Sequence, residues 1–295
     1  MNKLYGVVPP MTTPFDEDEE INYDMVKKDV THLVEKSKVH GLAIGGSTGE
    51  GYSLSTKELR AALETTIDAV KGKVPVIAGI IVDSTRQALE RAKAIQDLDI
   101  SALQITPVHY LFKPTDEMMY NYFKTISEAV DIPILIYNVV PWSYCSPELL
   151  IKIITEVEGV IGVKQSASDV KLLADLILGL KNRGTIFSAV DALLYPSYAL
   201  GAHGSIAAIL SAVPELCVKQ WNQVSQGDHT GALESHNELL MIWNALTADN
   251  LPANVRYAME LQGRPGGFPR SPMPPSSQKQ KDQIRLALKQ TGIIS

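Results

Sequence analysis

Eight short apolar runs recur along the first two-thirds of the chain, at residues 5–8, 42–46, 74–81, 102–106, 133–137, 160–164, 186–190 and 204–209. They are rich in valine and isoleucine and hardly alternate with polar residues, the pattern of parallel strands buried on both faces. Stretches with helical spacing separate them. Ser84-Thr-Arg-Gln87 opens one as a capping box, and Ala88, Leu89, Ala92 and Ile95 follow on one face. Ser55-Thr-Lys-Glu58 opens another, with Leu59, Leu63 and Ile67 behind it. Ser146-Pro147 supplies an N-cap followed by proline at the first helical position, where no N–H is needed. Strand–helix alternation repeated eight times predicts an α/β fold, a (β/α)8 TIM barrel. The repeats end near residue 226. Beyond them the spacing predicts helices over 231–249, 252–262 and 278–291, with a Pro/Gly-rich connection at 263–275. The expected division is a barrel, 1–226, and a C-terminal helical extension, 227–295, packed on it.

Composition narrows the class without fixing a function. The 295 residues are 45% hydrophobic and 20% charged, ordinary for a soluble globular chain and ample for a core. The net charge of −6 is spread without long runs, which disfavours nucleic acid or an anionic membrane as partner. No apolar run approaches the roughly 18 residues that span a bilayer. The start, Met1-Asn-Lys-Leu-Tyr5, lacks the layout of a signal peptide and leads straight into the first run. Cys145 and Cys217 form no CxxC pair, as expected of reduced, structural cysteines. A cytoplasmic location is the expectation.

Candidate chemistry lies where the apolar runs end, because a barrel of this kind keeps its active site at the C-terminal ends of its strands. The sixth run, Val160-Ile-Gly-Val-Lys164, is apolar up to a lysine, a residue seldom fully buried. Such a lysine is either paired with a carboxylate, here Glu50 or Asp191, or kept as a reactive amine. Desolvation favours the neutral form of an amine, and a neutral amine attacks a ketone to give an iminium. That cation draws electrons and eases making or breaking a bond at the neighbouring carbon. The other strand ends favour this reading. Gly45-Gly-Ser47-Thr48-Gly-Glu50 offers backbone N–H groups and two hydroxyls suited to a small carboxylate. Tyr137 ends the fifth run with a phenol able to shuttle protons. His109 and Tyr110, Asp191, and Ser205 with Ile206 lie at the fourth, seventh and eighth ends. No set of His, Asp and Glu converges there at metal-ligand spacing, so no metal is expected.

Taken together, Gly46-Ser-Thr-Gly-Glu50, Thr106-Pro-Val-His-Tyr110, Tyr137-Asn-Val and Gly162-Val-Lys-Gln165 resemble the dihydrodipicolinate synthase / N-acetylneuraminate lyase family of class I aldolases. Tyr198-Ala-Leu-Gly-Ala202 and Pro269-Arg-Ser-Pro-Met-Pro274 also look like family segments, so the resemblance spans essentially the whole chain. It implies that Lys164 is the Schiff-base lysine and Tyr137 the proton-relaying tyrosine. It implies that Thr48 links that tyrosine into a hydroxyl chain and, with Ser47, grips the 2-oxo acid carboxylate. Tyr110 matches a tyrosine that reaches a neighbouring subunit's site, and Ile206 a residue whose backbone faces the bound keto acid. Asp191 matches a substrate-binding position after the seventh strand. A homotetramer built as a dimer of dimers is implied, as is the absence of any cofactor.

The sequence also departs from both named branches. Dihydrodipicolinate synthases read Tyr-Asn-Val-Pro followed closely by an arginine that holds the second substrate; here the stretch is Tyr137-Asn-Val-Val-Pro-Trp-Ser-Tyr-Cys145. Trp142 and Tyr144 stand in that region, which predicts a more apolar or aromatic distal pocket. The lyase's acidic pair after the seventh strand is reduced to Asp191 beside Ala192, and its eighth-strand serine aligns with Ala208. The sequence therefore predicts a cofactor-free lyase that binds pyruvate or another 2-oxo acid on Lys164. Its aldol substrate is expected to be a 2-keto-3-deoxy or 4-hydroxy-2-oxo acid. The alternatives are a dehydratase or deaminase using the same iminium, and 4-hydroxy-tetrahydrodipicolinate synthase despite the missing arginine.

Overall fold

The structure, a computed structural model, describes residues 4–295; the Met1-Asn-Lys lead-in lies outside the described residues. All eight apolar runs form strands: β1 Gly6–Val7, β2 Leu42–Ile44, β3 Val76–Ile80, β4 Ala102–Ile105, β5 Ile134–Asn138, β6 Val160–Gln165, β7 Thr185–Ser188 and β8 Gly204–Ser205. They pair in parallel in the order β1-β8-β7-β6-β5-β4-β3-β2. The sheet curls until its two ends meet just beyond β1. There Ala43 N donates to Pro9 O at 3.0 Å and Met11 N to Ala43 O at 2.9 Å. This is a (β/α)8 barrel with a C-terminal helical part.

The helices between strands, all but the last, begin where capping side chains stop the extended chain. They are α1 Tyr23–Thr31, α2 Thr56–Val70, α3 Thr85–Lys93, α4 Asp116–Ser127, α5 Pro147–Glu156, α6 Val170–Leu180 and α7 Leu194–Ala199. After β8 come α8 Ile209–Ala212, α9 Pro214–Ser225, α10 His229–Leu246, α11 Leu251–Leu261 and α12 Gln278–Gln290. Ser55 closes the expected capping box on Glu58. Ser146 accepts from Leu149 N with Pro147 in the first turn. Each such cap is worth about 1 kcal/mol.

Two apolar cores result. Leu4, Val8, Ala43, Ile77, Ala102, Leu135, Phe187 and Ile206 fill the barrel's interior. A larger shell packs the outer strand faces against the helices, and it runs without a break into Ile242 of α10, Met259 of α11 and Leu288 of α12. The eighth run was expected to stay extended to residue 209. Instead the chain turns into α8, because Asp191 Oδ1 accepts from Ile209 N at 2.8 Å and caps that turn.

Strand β6 carries one irregularity that positions the site. Ile134 pairs with Val160 but Leu135 with Gly162, so Ile161 is an extra residue, a bulge. Ile161 packs against the inner core and Val163 belongs to the outer one. Strict alternation from Ile161 would turn Val163 inward and Lys164 outward. The bulge reverses that, and Lys164 enters the barrel in register with Tyr137 and Phe187.

Candidate active site

Lys164 and Tyr137 are each 3% exposed. The lysine nitrogen lies over the phenol ring, Nζ 3.8 Å from the ring centroid. Tyr137 Oη donates to Ser47 Oγ at 3.0 Å. Here the geometry departs from expectation: the hydroxyl joined to Tyr137 is that of Ser47, not Thr48. Both belong to the turn after β2, which folds on itself through Gly49 N and Gly51 N to Gly46 O, at 3.1 and 3.0 Å. Thr13 Oγ1 braces it by donating to Gly49 O at 2.7 Å. That winding points Ser47 at Tyr137. It also leaves the backbone N–H groups of Ser47 and Thr48 without an acceptor among the described residues.

Neither carboxylate proposed as a partner for Lys164 forms an ion pair with it. Glu50, 1% exposed, pairs with Arg256 of α11, Oε1 to Nη2 at 2.5 Å, and accepts from Arg270 N at 3.0 Å. Asp191 acts on Lys164 only as a charge at a distance, its Oδ1 being committed to Ile209 N. Burial pushes the Asp191 carboxyl up to about 6, against the pull of the Ile209 N–H and of Lys164. One Asp191 oxygen thus holds α8 to the end of β7. Ile206 is fully buried in the inner core, its N–H donating to Ser188 O at 2.9 Å.

The stretch after Tyr137 is fixed by Asn138. Its Nδ2 donates to Gln165 Oε1 at 3.0 Å, and its Oδ1 accepts from Cys145 N at 2.9 Å. Within that stretch the two aromatics part company. Trp142 is 66% exposed and donates from Nε1 to His109 O at 2.8 Å, so it leans on the β4 loop and not on Tyr137. Tyr144 is half-buried; burial and then the neighbouring Tyr137 push its phenol up. Tyr110 makes no hydrogen bond to Lys164, Tyr137 or the β2 turn. Its N–H is held by Asp83 Oδ1 at 2.8 Å and its ring is 70% exposed. Both cysteines are buried and free, and burial pushes the Cys145 thiol up to about 12. Among the described residues no helix is long and apolar enough to cross a membrane.

The sequence reading missed two groups. Arg256 partners Glu50 from the C-terminal part, 206 positions away, and nothing in its neighbourhood signals that. Gln104, on β4, is fully buried with both side-chain polar atoms lacking a protein partner. A glutamine inside an apolar strand, sharing the face of Ala102 and Thr106, was the available signal.

The dihydrodipicolinate synthetase family model matches residues 3–291. The chain belongs to that family. Its members are class I, Schiff-base lyases, and so is this protein. A protein of Methanopyrus kandleri named 4-hydroxy-tetrahydrodipicolinate synthase is 35% identical over 99% of this chain and 98% of its own. The crystal structure of a dihydrodipicolinate synthase from Acinetobacter baumannii, complexed with pyruvate, superposes with a TM-score of 0.92 at 27% identity, covering 99% of this chain and all of the other. The prophage protein YagE of E. coli K12, also complexed with pyruvate, gives 0.92 at 25% identity over 98% of each chain.

Proposed function

We propose that the protein binds pyruvate, or a longer 2-oxo acid, as an iminium on Lys164 and makes or breaks a carbon–carbon bond beside it. The observation that carries this is the contiguity of three parts: a buried amine over the Tyr137 ring, a phenol joined to Ser47, and open N–H groups at Ser47 and Thr48. In this reading the carboxylate of the oxo acid docks on those N–H groups and the Thr48 hydroxyl. Lys164 Nζ attacks the keto carbon, and Tyr137 carries the proton to the former carbonyl oxygen as water leaves. Cleavage of the neighbouring C–C bond then releases an aldehyde and an enamine. The enamine takes a proton at carbon, and water returns to free pyruvate and the amine.

The second substrate is less constrained. Residues 139–145 contain no arginine, and Trp142 is exposed and bonded to the β4 loop. This favours cleavage of a 2-keto-3-deoxy or 4-hydroxy-2-oxo acid whose far end carries no carboxylate to be gripped there. The names of the curated relatives favour the alternative, condensation of pyruvate with aspartate semialdehyde. Exposed Tyr110, Leu111 and Phe112, with Trp142 tied to the same loop, support a dimer-of-dimers assembly in which Tyr110 enters a neighbour's site. No cofactor is required by this chemistry. Borohydride trapping across a panel of 2-oxo acids, read by intact mass and peptide mapping, tests the core of the reading. An adduct on Lys164 is expected; a label on any other lysine, or none, overturns it. Release of pyruvate plus an aldehyde separates the aldolase from a dehydratase, and brisk turnover of aspartate semialdehyde would select the synthase.

A further inference from the structure

Gln104 enters the barrel from β4. It pairs in register with Leu135 and lies two residues beyond Ala102, both members of the inner core. The side chain is fully buried, yet neither Oε1 nor Nε2 meets a protein partner. Thr106 Oγ1, the next group up the same face, is also unpartnered. Native interiors rarely leave a buried amide unmet, because its desolvation is then uncompensated; where they do, a bound molecule commonly completes the set. The place of the amide says which one. A methyl group added to Gly46 would stand 3.3 Å from Gln104 Nε2, so the amide lies against the backbone of the β2 turn. Gly79, in register with Gln104 on β3, offers no side chain to cover it.

We propose that Gln104 is a further substrate contact, its Nε2 donating to the carboxylate of the 2-oxo acid from inside the barrel. The inference rests on the reading that the Ser47–Thr48 turn receives that carboxylate. A carboxylate has about four acceptor sites. The two open N–H groups and the Thr48 hydroxyl meet three of them from the turn, and the amide meets the fourth from below. Being neutral, Gln104 adds a donor without placing a second cation beside Lys164, where it would compete for the same anion.

The test is the pyruvate concentration giving half-maximal borohydride trapping, measured with thermal unfolding for the wild type, Gln104→Leu and Gln104→Met. Expected is a rise of at least tenfold in half-saturation for both variants, with an undiminished trapping plateau at saturating pyruvate and an unchanged or higher Tm. A half-saturation within twofold of wild type in a folded variant overturns the inference while leaving the Schiff-base reading intact. A Tm change with no change in half-saturation overturns it equally, since that marks a purely structural amide. Absence of any adduct in the wild type overturns both. Two variants of different shape guard against one failing to fold.

Discussion

Replacing Glu50 by glutamine should expose how the helical tail holds the catalytic turn. Glu50 and Arg256 are 1% and 2% exposed at their side chains and 2.5 Å apart. Arg256 also donates to Thr13 O at 2.6 Å, while its Nε and Nη1 meet no protein partner. Glutamine keeps the shape and an acceptor for Arg270 N, but leaves a buried guanidinium without its counter-charge. Removing one member of a buried pair costs about 3–5 kcal/mol. In a chain this long each kcal/mol moves Tm by about 2 °C, so Tm should fall by roughly 6–10 °C. Because Glu50 ends the turn that carries Ser47, pyruvate trapping at Lys164 should slow as well. The double variant Glu50→Gln/Arg256→Met should recover at least half the lost Tm, since removing the guanidinium as well leaves no uncompensated charge in the interior. Thermal scans at one fixed rate for the three proteins decide it. A single variant within 2 °C of wild type, or a double variant no better than the single, would refute the coupling.

Three further outcomes are expected. Tyr137→Phe should slow adduct formation by about 10²–10⁴-fold, and Ser47→Ala should slow it about tenfold more than Thr48→Val does; the reverse order in stopped-flow trapping would restore Thr48 as the relay hydroxyl. The Asp191 carboxyl titrates near 6 in the folded protein, against about 3.9 unfolded. The native state therefore holds the extra proton between pH 4 and 6, and stability should fall as pH rises through that window. Asp191→Asn keeps an acceptor for Ile209 N and should remove about 2 kcal/mol of that fall, allowing for partial contact with water; parallel urea midpoints for the two proteins at pH 4.5 and 7 would count against it. A methyl group at Gly162 would stand 2.0 Å from Thr185 O, so Gly162→Ala should cost about 3 kcal/mol and abolish trapping; a trapping rate near wild type would show that β6 yields without turning Lys164.

Much of this was legible because it depends on local pattern. The eight runs became strands because valine and isoleucine fill a surface covered on both sides, and Ser55, Ser84 and Ser146 marked helix starts that the structure keeps. Lys164 stood out because nothing else in an apolar run carries charge. What stayed hidden depends on how loops wind and on partners far along the chain. Ser47 and Thr48 are adjacent hydroxyls in one turn, and only its winding decides which meets Tyr137. Asp191 was legible as a carboxylate at a strand end, but nothing near it in sequence told that one of its oxygens would accept from Ile209 N. Trp142 read as a pocket wall, and a carbonyl on the β4 loop drew it outward.

The bulge at Ile161 joins these two kinds of information. Periodicity alone sends Lys164 out of the barrel if Ile161 points in, and a chemical argument alone needs it inside. Both hold only if one residue is left unpaired between them, which is what the pairing of β5 with β6 contains. The same bulge requires glycine next, since a side chain at 162 would meet Thr185's carbonyl. So Ile161-Gly162 is not merely part of an apolar run. Those two residues set the phase of the strand, and the phase determines whether the one amine in it faces Tyr137 or the surrounding helices. A conflict between period and chemistry in a single strand is therefore itself a signal for a bulge, readable before any coordinates are known.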